Sequence, residues 1–260
     1  MPPFFSIITA SLNNRSTIRN TLESVKGQSY QDYEHIVSDG GSQDNSQKIL
    51  AEYEKIYNLK WLSKPDKGIS EALNRALILA RGNYIIVIGA DDRFLGPDIL
   101  EQVYPLLRNE VIDILSYPVL IQDAVRGSVL RNTIRCRWWI HFKFIFQHQG
   151  CFVHRRVFEK IGNFREELKI ALDYDFFYRA LKNKCSVRFE KLPVVMMGGE
   201  GIGSQEDNLP FRIKEEGLVH RLNERNKVWR LAQYIFRMLY VPYKTKLLPI
   251  KRSLMNKFER

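Results

Sequence analysis

The stretch ISEALNRALILARGNYIIVIGADD spans Ile69–Asp92. Its first half sets Ile69, Ala72, Leu73, Ala76, Leu77 and Ala80 at i, i+3, i+4, i+7, i+8 and i+11, one apolar face of a helix. Gly82 stops that helix. YIIVI (84–88) then reads as a strand buried on both faces, and it runs through Gly89-Ala90 into two adjacent carboxylates, Asp91 and Asp92. A helix feeding an all-apolar strand is a unit of a parallel α/β sheet. The carboxylates sit at the strand's C-terminal end, where open parallel sheets bind ligands.

The same alternation extends back to the start. FFSIITA (4–10), YEHIVS (33–38) and LKWL (59–62) are short apolar strands. Between them, one helix aligns Ile18, Leu22 and Val25, with Ser16 as N-cap and Gly27 as stop; a second aligns Ile49, Leu50, Tyr53 and Ile56, with Ser42 as cap. Short loops and right-handed crossovers then give a mostly parallel sheet. Four loops bring polar groups to one rim: Ala10-Ser11, Asp39-Gly40-Gly41, Asp66-Lys67-Gly68 and Asp91-Asp92. After Phe94 the pattern turns to mixed α+β. A helix with Pro97 near its start is followed by strands around a Gly-containing turn (113–132), a strand and short helix (151–164), the helix DYDFFYRALKNK (173–184) and the extended CSVRFEKLPVVMM (185–197). The expected division is one domain over 1–210, with a donor half (1–95) and an acceptor half (96–210), and a helical extension over 211–260.

The chain has 260 residues, 45% of them hydrophobic, and a formal charge of +11. It can bury a core, and the charge calls for an anionic partner. Cys136, Cys151 and Cys185 form no CxxC pair, which suits a reducing compartment. The N-terminus lacks a basic n-region and a cleavage pattern, and no uncharged apolar run reaches the ~18 residues of a spanning helix. The expectation is a cytoplasmic protein. No nucleic-acid recognition motif is present, so nucleic acid is not an expected partner.

Two adjacent carboxylates at a buried strand end repel each other and lose hydration. A lone Asp-Asp is an ordinary turn feature. On a rim that already carries Asp39 and Asp66, the pair reads instead as a site for Mg²⁺ or Mn²⁺, which takes oxygen ligands from few protein groups and the rest from phosphate and water. Asp39-Gly40-Gly41 permits close backbone approach to a ligand. With no G-x-G-x-x-G after the first strand and no G-x-x-x-x-G-K-[ST], dinucleotide and P-loop readings lose support.

Three segments carry a resemblance: the N-terminal FSIITASLNN with VSDGGSQDNS, then DKGISEALNRALILARGNYIIVIGADD, then QHQGCFVHRRVFEKIGNFREELKIALDYDFFYRAL. Over residues 4 to 205 the chain resembles the family 2 glycosyltransferases of GT-A fold, with bacterial O-antigen and exopolysaccharide enzymes as the nearest likeness. The resemblance implies a nucleotide pocket of Thr9, Ala10, Ser11, Asn13, Asp39 and Gly40, with Asp39 on a uracil ring. Asp66 and Lys67 lie near the nucleotide. Ala90-Asp91-Asp92 stands as a variant DXD motif, Asp92 on the metal and Asp91 on the ribose or sugar; many relatives carry Leu-Asn where this chain has Gly89-Ala90. His148-Gln149 lies on the acceptor side, and Gly198-Gly199 opens a closing loop, Gly198–Ser204. Asp173 and Asp175 point about 200° apart on a helix, so only one faces the site; the resemblance picks Asp173 as base, and a helix-start carboxylate keeps the charge to accept a proton. It also implies inversion at the anomeric carbon, so an α-linked donor gives a β-linked product. Rival readings are a nucleotidyltransferase, a hydrolase and a silent nucleotide-sugar binder.

The stretch RCRWWIHFKFIFQ (135–147) and the tail after Val228 mix Lys and Arg with large apolar residues. In the tail helix Arg230, Gln233 and Arg237 share one stripe. For the tail this suits an anionic membrane face; for the aromatic stretch, core packing is the competing reading. The expected acceptor is a polyprenyl-diphosphate-linked saccharide, met by an enzyme lying peripherally on the inner membrane surface.

Overall fold

The computed structural model describes residues 1–123, 127–198, 208–243 and 245. A seven-stranded sheet forms the centre, in the order β10-β6-β9-β4-β1-β2-β3. Its strands are β1 (Phe5–Ser11), β2 (Tyr33–Asp39), β3 (Leu59–Ser63), β4 (Tyr84–Val87), β6 (Ile114–Ser116), β9 (Cys151–His154) and β10 (Val187–Phe189). β1 lies parallel between β2 and β4, and β3 adds parallel to β2. The exception is β9, which inserts antiparallel between β4 and β6. The beginning of β9 therefore lies where its neighbours end, and that places it at the rim.

Alternation along each strand feeds two apolar layers. Ile8, Ile85, Ile114 and Val153 point to one side, against α3 (Ile69–Leu79), α5 (Arg155–Ile161) and α6 (Leu172–Lys182). Phe5, Ile7, Ile86, Leu115 and Phe152 point to the other, against α4 (Ile99–Arg108). There a second sheet joins β5 (Arg93–Phe94), β11 (Val195–Met197), β7 (Val119–Asp123) and β8 (Gly127–Arg131) in the order β5-β11-β7-β8. A third cluster packs α1 (Ile18–Lys26) and α2 (Ser46–Tyr53) over β2 and β3.

Several helix ends differ from the sequence reading. The cap of α1 is Thr17, not Ser16. The cap of α2 is Asn45 in the left-handed region (φ 71°), while Asp44 accepts the Ser46 N–H at 3.0 Å. Ser42 is drawn off by Asp39. Ile56 falls beyond the end of α2 and is exposed. Pro97 precedes the Asp98 cap of α4. The aromatic stretch splits: Ile140, Ile145 and Phe146 are buried, but Trp138 is exposed.

Two helices follow, α7 (Leu209–Asn223) and α8 (Lys227–Pro242). α7 is stapled to the loop before α6: the buried Glu215 carboxylate accepts the N–H groups of Lys169, Ile170 and Ala171, each at 2.8 Å. The expected polar stripe of α8 divides, with Gln233 and Arg237 turned inward and Arg230 exposed. Among the described residues no helix is long and apolar enough to cross a membrane.

Candidate active site

The strand order reverses at β1: β2 and β3 build outward on one side, β4 on the other. Such a reversal opens a crevice at the carboxyl ends of the strands. The predicted residues gather along it, in three groups.

The first group follows β1, β2 and β3. Asp39 is fully buried, and its carboxylate accepts the N–H groups of Gly41 (3.1 Å) and Ser42 (2.9 Å) and the hydroxyls of Ser63 (2.6 Å) and Ser42. Three of these donors converge on Oδ2, and the Ser42 hydroxyl meets Oδ1. The expected contact of Asp39 with a base ring would fall to Oδ1, since Oδ2 is engaged by its own turn and by Ser63. Asp66 differs: its Oδ1 accepts the Gly68 N–H at 3.0 Å, and its Oδ2 lies over the bare Cα of Gly40, where a Cβ would come within 2.6 Å of it. Asn13, at φ 53°, joins the turns by donating its N–H to Ser42 Oγ and accepting the Gln43 N–H. The Ser11 carbonyl accepts the Gly40 N–H at 2.8 Å. Ala10 is part-buried on the same strand end. Thr9 does not reach the rim: it is buried, and its hydroxyl pairs with His35 Nε2 at 3.0 Å. The Lys67 side chain is exposed, and its N–H donates to Glu71.

The second group is the carboxylate pair after β4. Asp92 is 2% exposed. Its Oδ2 accepts the Gly89 N–H (2.8 Å) and its Oδ1 the Gly198 N–H (3.0 Å). Burial, then the neighbouring Asp91 charge, push its carboxyl up to about 6. Asp91 is part-exposed. A side chain at Gly198 would overlap the Asp91 carboxylate, and one at Gly89 would meet Asp92 Oδ2 at 2.7 Å. The Gly-Ala step thus lets both carboxylates fold down against backbone. Thr21 of α1 holds the turn by donating its hydroxyl to the Asp92 carbonyl at 2.6 Å. Sequence reading missed Thr21, which looks like any residue of an amphipathic helix.

Hard carboxylate oxygens beside a strand end suit Mg²⁺ or Mn²⁺. Among the described residues no three His, Cys, Asp or Glu side chains converge as a metal cage. The donor set therefore fits an ion that completes its shell with diphosphate and water.

The third group is His148 and Asp173. The antiparallel course of β9 sets the short 3₁₀ turn His148–Gly150 at the rim, and α6 begins beside it. His148 Nδ1 lies 3.3 Å from Asp173 Oδ2, and Asp173 Oδ1 accepts the Tyr174 N–H at 2.6 Å. Both side chains are part-exposed. Gln149 is part-buried in the same turn. Asp175 points the other way, wholly buried between Arg165 (2.6 Å) and Arg179 (2.8 Å). Of the expected closing loop, Gly198 is the described residue; Gly199–Ser204 lies outside the described residues.

Solved structures share this architecture. Staphylococcus aureus TarS 1-349 in complex with UDP-GlcNAc superposes with a TM-score of 0.70 at 19% identity, over 94% of this chain and 73% of that one. The mannosyltransferase PcManGT of Pyrobaculum calidifontis, in complex with GDP-Man and Mn²⁺, gives 0.66 at 15% identity, over 100% and 80%. The fold is that of the GT-A glycosyltransferases.

The family follows from sequence. The model of glycosyl transferase family 2 matches residues 6–168, and the chain belongs to that family. An uncharacterised glycosyltransferase of Mycobacterium tuberculosis is 32% identical over 184 residues, 68% of this chain and 69% of its own length. A PGL/p-HBAD biosynthesis glycosyltransferase of Mycobacterium bovis is 28% identical over 71% and 72%. The putative teichuronic acid biosynthesis glycosyltransferase TuaG of Bacillus subtilis is 32% identical over 47% and 50%.

Proposed function

We propose that this enzyme transfers a sugar, with inversion, from a UDP-sugar to a hydroxyl of a lipid-linked saccharide in the assembly of a bacterial surface polysaccharide such as an O-antigen or exopolysaccharide. The acceptor is a polyprenyl-diphosphate-linked saccharide, met at the cytoplasmic face of the inner membrane. Residues 1–95 take the donor, residues 96–210 the acceptor, and residues 211–260 extend the domain. The observation that carries the reading is the gathering of three carboxylate groups of different character on one rim. Asp39 ends β2, Asp66 follows β3, the Asp91-Asp92 pair follows β4, and Asp173 stands beside His148. Relatives named for PGL/p-HBAD biosynthesis and, as putative, for teichuronic acid biosynthesis, and a like-folded protein solved with UDP-GlcNAc, support the product class and the donor.

The geometry supports the following roles. The turns after β1 and β2, braced by Asp39, form the floor of the nucleotide pocket, and Asp66 Oδ2 takes the ring N–H of the base. Asp91 faces the ribose or sugar side, and Asp92 is the residue that would hold the metal. A bound Mn²⁺ or Mg²⁺ supplies charge neutralisation for the departing diphosphate. His148 donates Nδ1–H to Asp173 and so fixes the carboxylate's direction. Asp173 removes the proton of the acceptor hydroxyl as that oxygen attacks the anomeric carbon from the face opposite the diphosphate. Charge builds at the ring as in glycoside hydrolysis, and the Gly198 backbone closes over the carboxylate pair.

The test is a screen of nucleotide sugars with a lipid-linked acceptor, run on wild type and Asp173→Asn. Transfer should fall roughly 10²–10⁴-fold, the worth of a general base, with UDP affinity unchanged. Wild-type activity in Asp173→Asn overturns the base assignment. Sugar release without transfer in wild type would favour a hydrolase, and nucleotide binding without turnover a silent binder.

A further inference from the structure

The last described helix is built inside out. The inner face of α8 carries its polar groups. Gln233, 3% exposed, donates to the His141 carbonyl (2.8 Å) and to the Tyr178 hydroxyl (3.2 Å). Arg237 donates to the Ile213 carbonyl at 2.7 Å, and Trp229 stacks on the His141 ring with centroids 4.3 Å apart. The outer face is apolar and bare: Val228 is 75% exposed, Leu231 60%, Met238 59% and Leu239 72%, with Tyr234 and Ile235 exposed beside them. A helix packed on its domain and facing water shows the reverse arrangement. The neighbouring turn Arg137–His141 packs onto α8 through Trp139 and Phe142 against Phe236. It leaves Trp138 51% exposed beside that contact, with Arg135 and Arg137 also exposed.

Charge is segregated along the sequence toward the same end of the chain. Residues 225–260 hold ten Lys and Arg against a single carboxylate side chain, Glu259, which leaves the first 224 residues at only +2 of the total +11. Residues 131–149 hold four Lys and Arg and no Asp or Glu. We propose that the outer face of α8, with Trp138, docks on the surface of an anionic lipid bilayer. Its apolar stripe enters the boundary of headgroups and acyl chains, and Lys227, Arg230, Arg135 and Arg137 meet the anionic headgroups. A second copy of this chain would bring two basic rims together, which costs what the bilayer surface supplies. A nucleic-acid backbone would answer the charge and leave the apolar side chains uncovered. Gln233 ties α8 to Tyr178 of α6, the helix whose first turn carries Asp173. The docking face and the acceptor end of the site therefore ride on one packed unit. The proposal deepens the lipid-linked acceptor reading and rests on it for its purpose.

The test uses the full chain and extruded vesicles of phosphatidylcholine, alone or mixed with phosphatidylglycerol, in co-sedimentation. Wild type should bind the mixed vesicles, and less as salt rises. Replacing Leu231→Ser, Ile235→Ser and Met238→Ser together should lower the partition coefficient roughly tenfold or more. Melting temperature, UDP affinity and transfer to a short water-soluble acceptor should be unchanged. Vesicle binding by the triple variant equal to wild type, or wild type indifferent to phosphatidylglycerol, overturns the proposal. So does a wild-type dimer that the triple substitution dissociates while neither protein binds vesicles. If vesicle binding follows the pattern and wild type transfers no sugar to any acceptor, the docking surface stands and the functional reading falls.

Discussion

At the scale of single residues, Asp39 and Asp66 divide one expected role. Asp39 lies at the end of β2 with Oδ2 taken by Gly41, Ser42 and Ser63 and Oδ1 met by the Ser42 hydroxyl; Asp66 Oδ1 accepts the Gly68 N–H, and its Oδ2 lies over Gly40. Asp39→Asn turns one acceptor into a donor against inward-pointing N–H and O–H groups. It should cost about 1–3 kcal/mol of stability in urea unfolding. Asp66→Ala should leave unfolding nearly unchanged and weaken UDP, titrated by calorimetry, roughly ten- to hundredfold, the worth of one charge-assisted hydrogen bond. The reverse pattern, lost UDP binding in a fully stable Asp39→Asn, would return the base contact to Asp39. Strand periodicity placed both carboxylates on the rim. How heavily each is engaged by its surroundings was not legible, because the Ser63 hydroxyl reaches Asp39 Oδ2 from a neighbouring strand 24 residues on. Asp173 and Asp175 were separable, since helical geometry alone sends them to opposite sides.

At the scale of elements, the local patterns read well where a residue's neighbours in sequence decide its place. β1 to β4 and the helices between them follow from periods of 2 and 3.6. The antiparallel insertion of β9 does not, since its partners β4 and β6 are far away in the chain, and with it went the reason His148 reaches the rim. α7 was expected as helix, but where it packs was equally opaque. Its Glu215 holds three successive N–H groups at residues 169–171, immediately ahead of Asp173. The orphan donors at the start of α6 and its approach loop are thus met by another helix. Glu215→Gln keeps one acceptor and sets an amide against the N–H groups of Ile170 and Ala171, or against that of Lys169. A loss of about 1–3 kcal/mol should follow. Because the loop leads into Asp173, kcat should fall more than UDP affinity. Equal changes in both would mean that Glu215 acts on the fold at large rather than on the base.

At the scale of the whole molecule, the basic surplus called for an anionic partner without placing the charge. The segregation of charge into residues 225–260 shows a near-neutral catalytic body with a basic end. Acid stability of the body then depends on its buried groups. Burial drives His35, between Thr9 and Tyr57, down to about 3, and His220 down to about 4. An unfolded histidine titrates near 6.5. Between these values the unfolded chain holds the extra proton, so each histidine lowers stability as pH falls from about 6.5, by about 1.4 kcal/mol per pH unit. Metal-free Asp92 works in the opposite sense. Its carboxyl is raised to about 6, so the folded state holds the extra proton below that and offsets about one histidine. The metal-free protein should therefore lose stability between pH 6.5 and 5 in urea unfolding. His35→Gln, which keeps a donor and an acceptor for Thr9 and Tyr57, should flatten the profile by about 1.4 kcal/mol per unit. A slope identical to wild type in His35→Gln would mean that His35 is charged in the fold. The Thr9–His35–Tyr57 chain would then be an ionic feature beneath the nucleotide pocket rather than a neutral one.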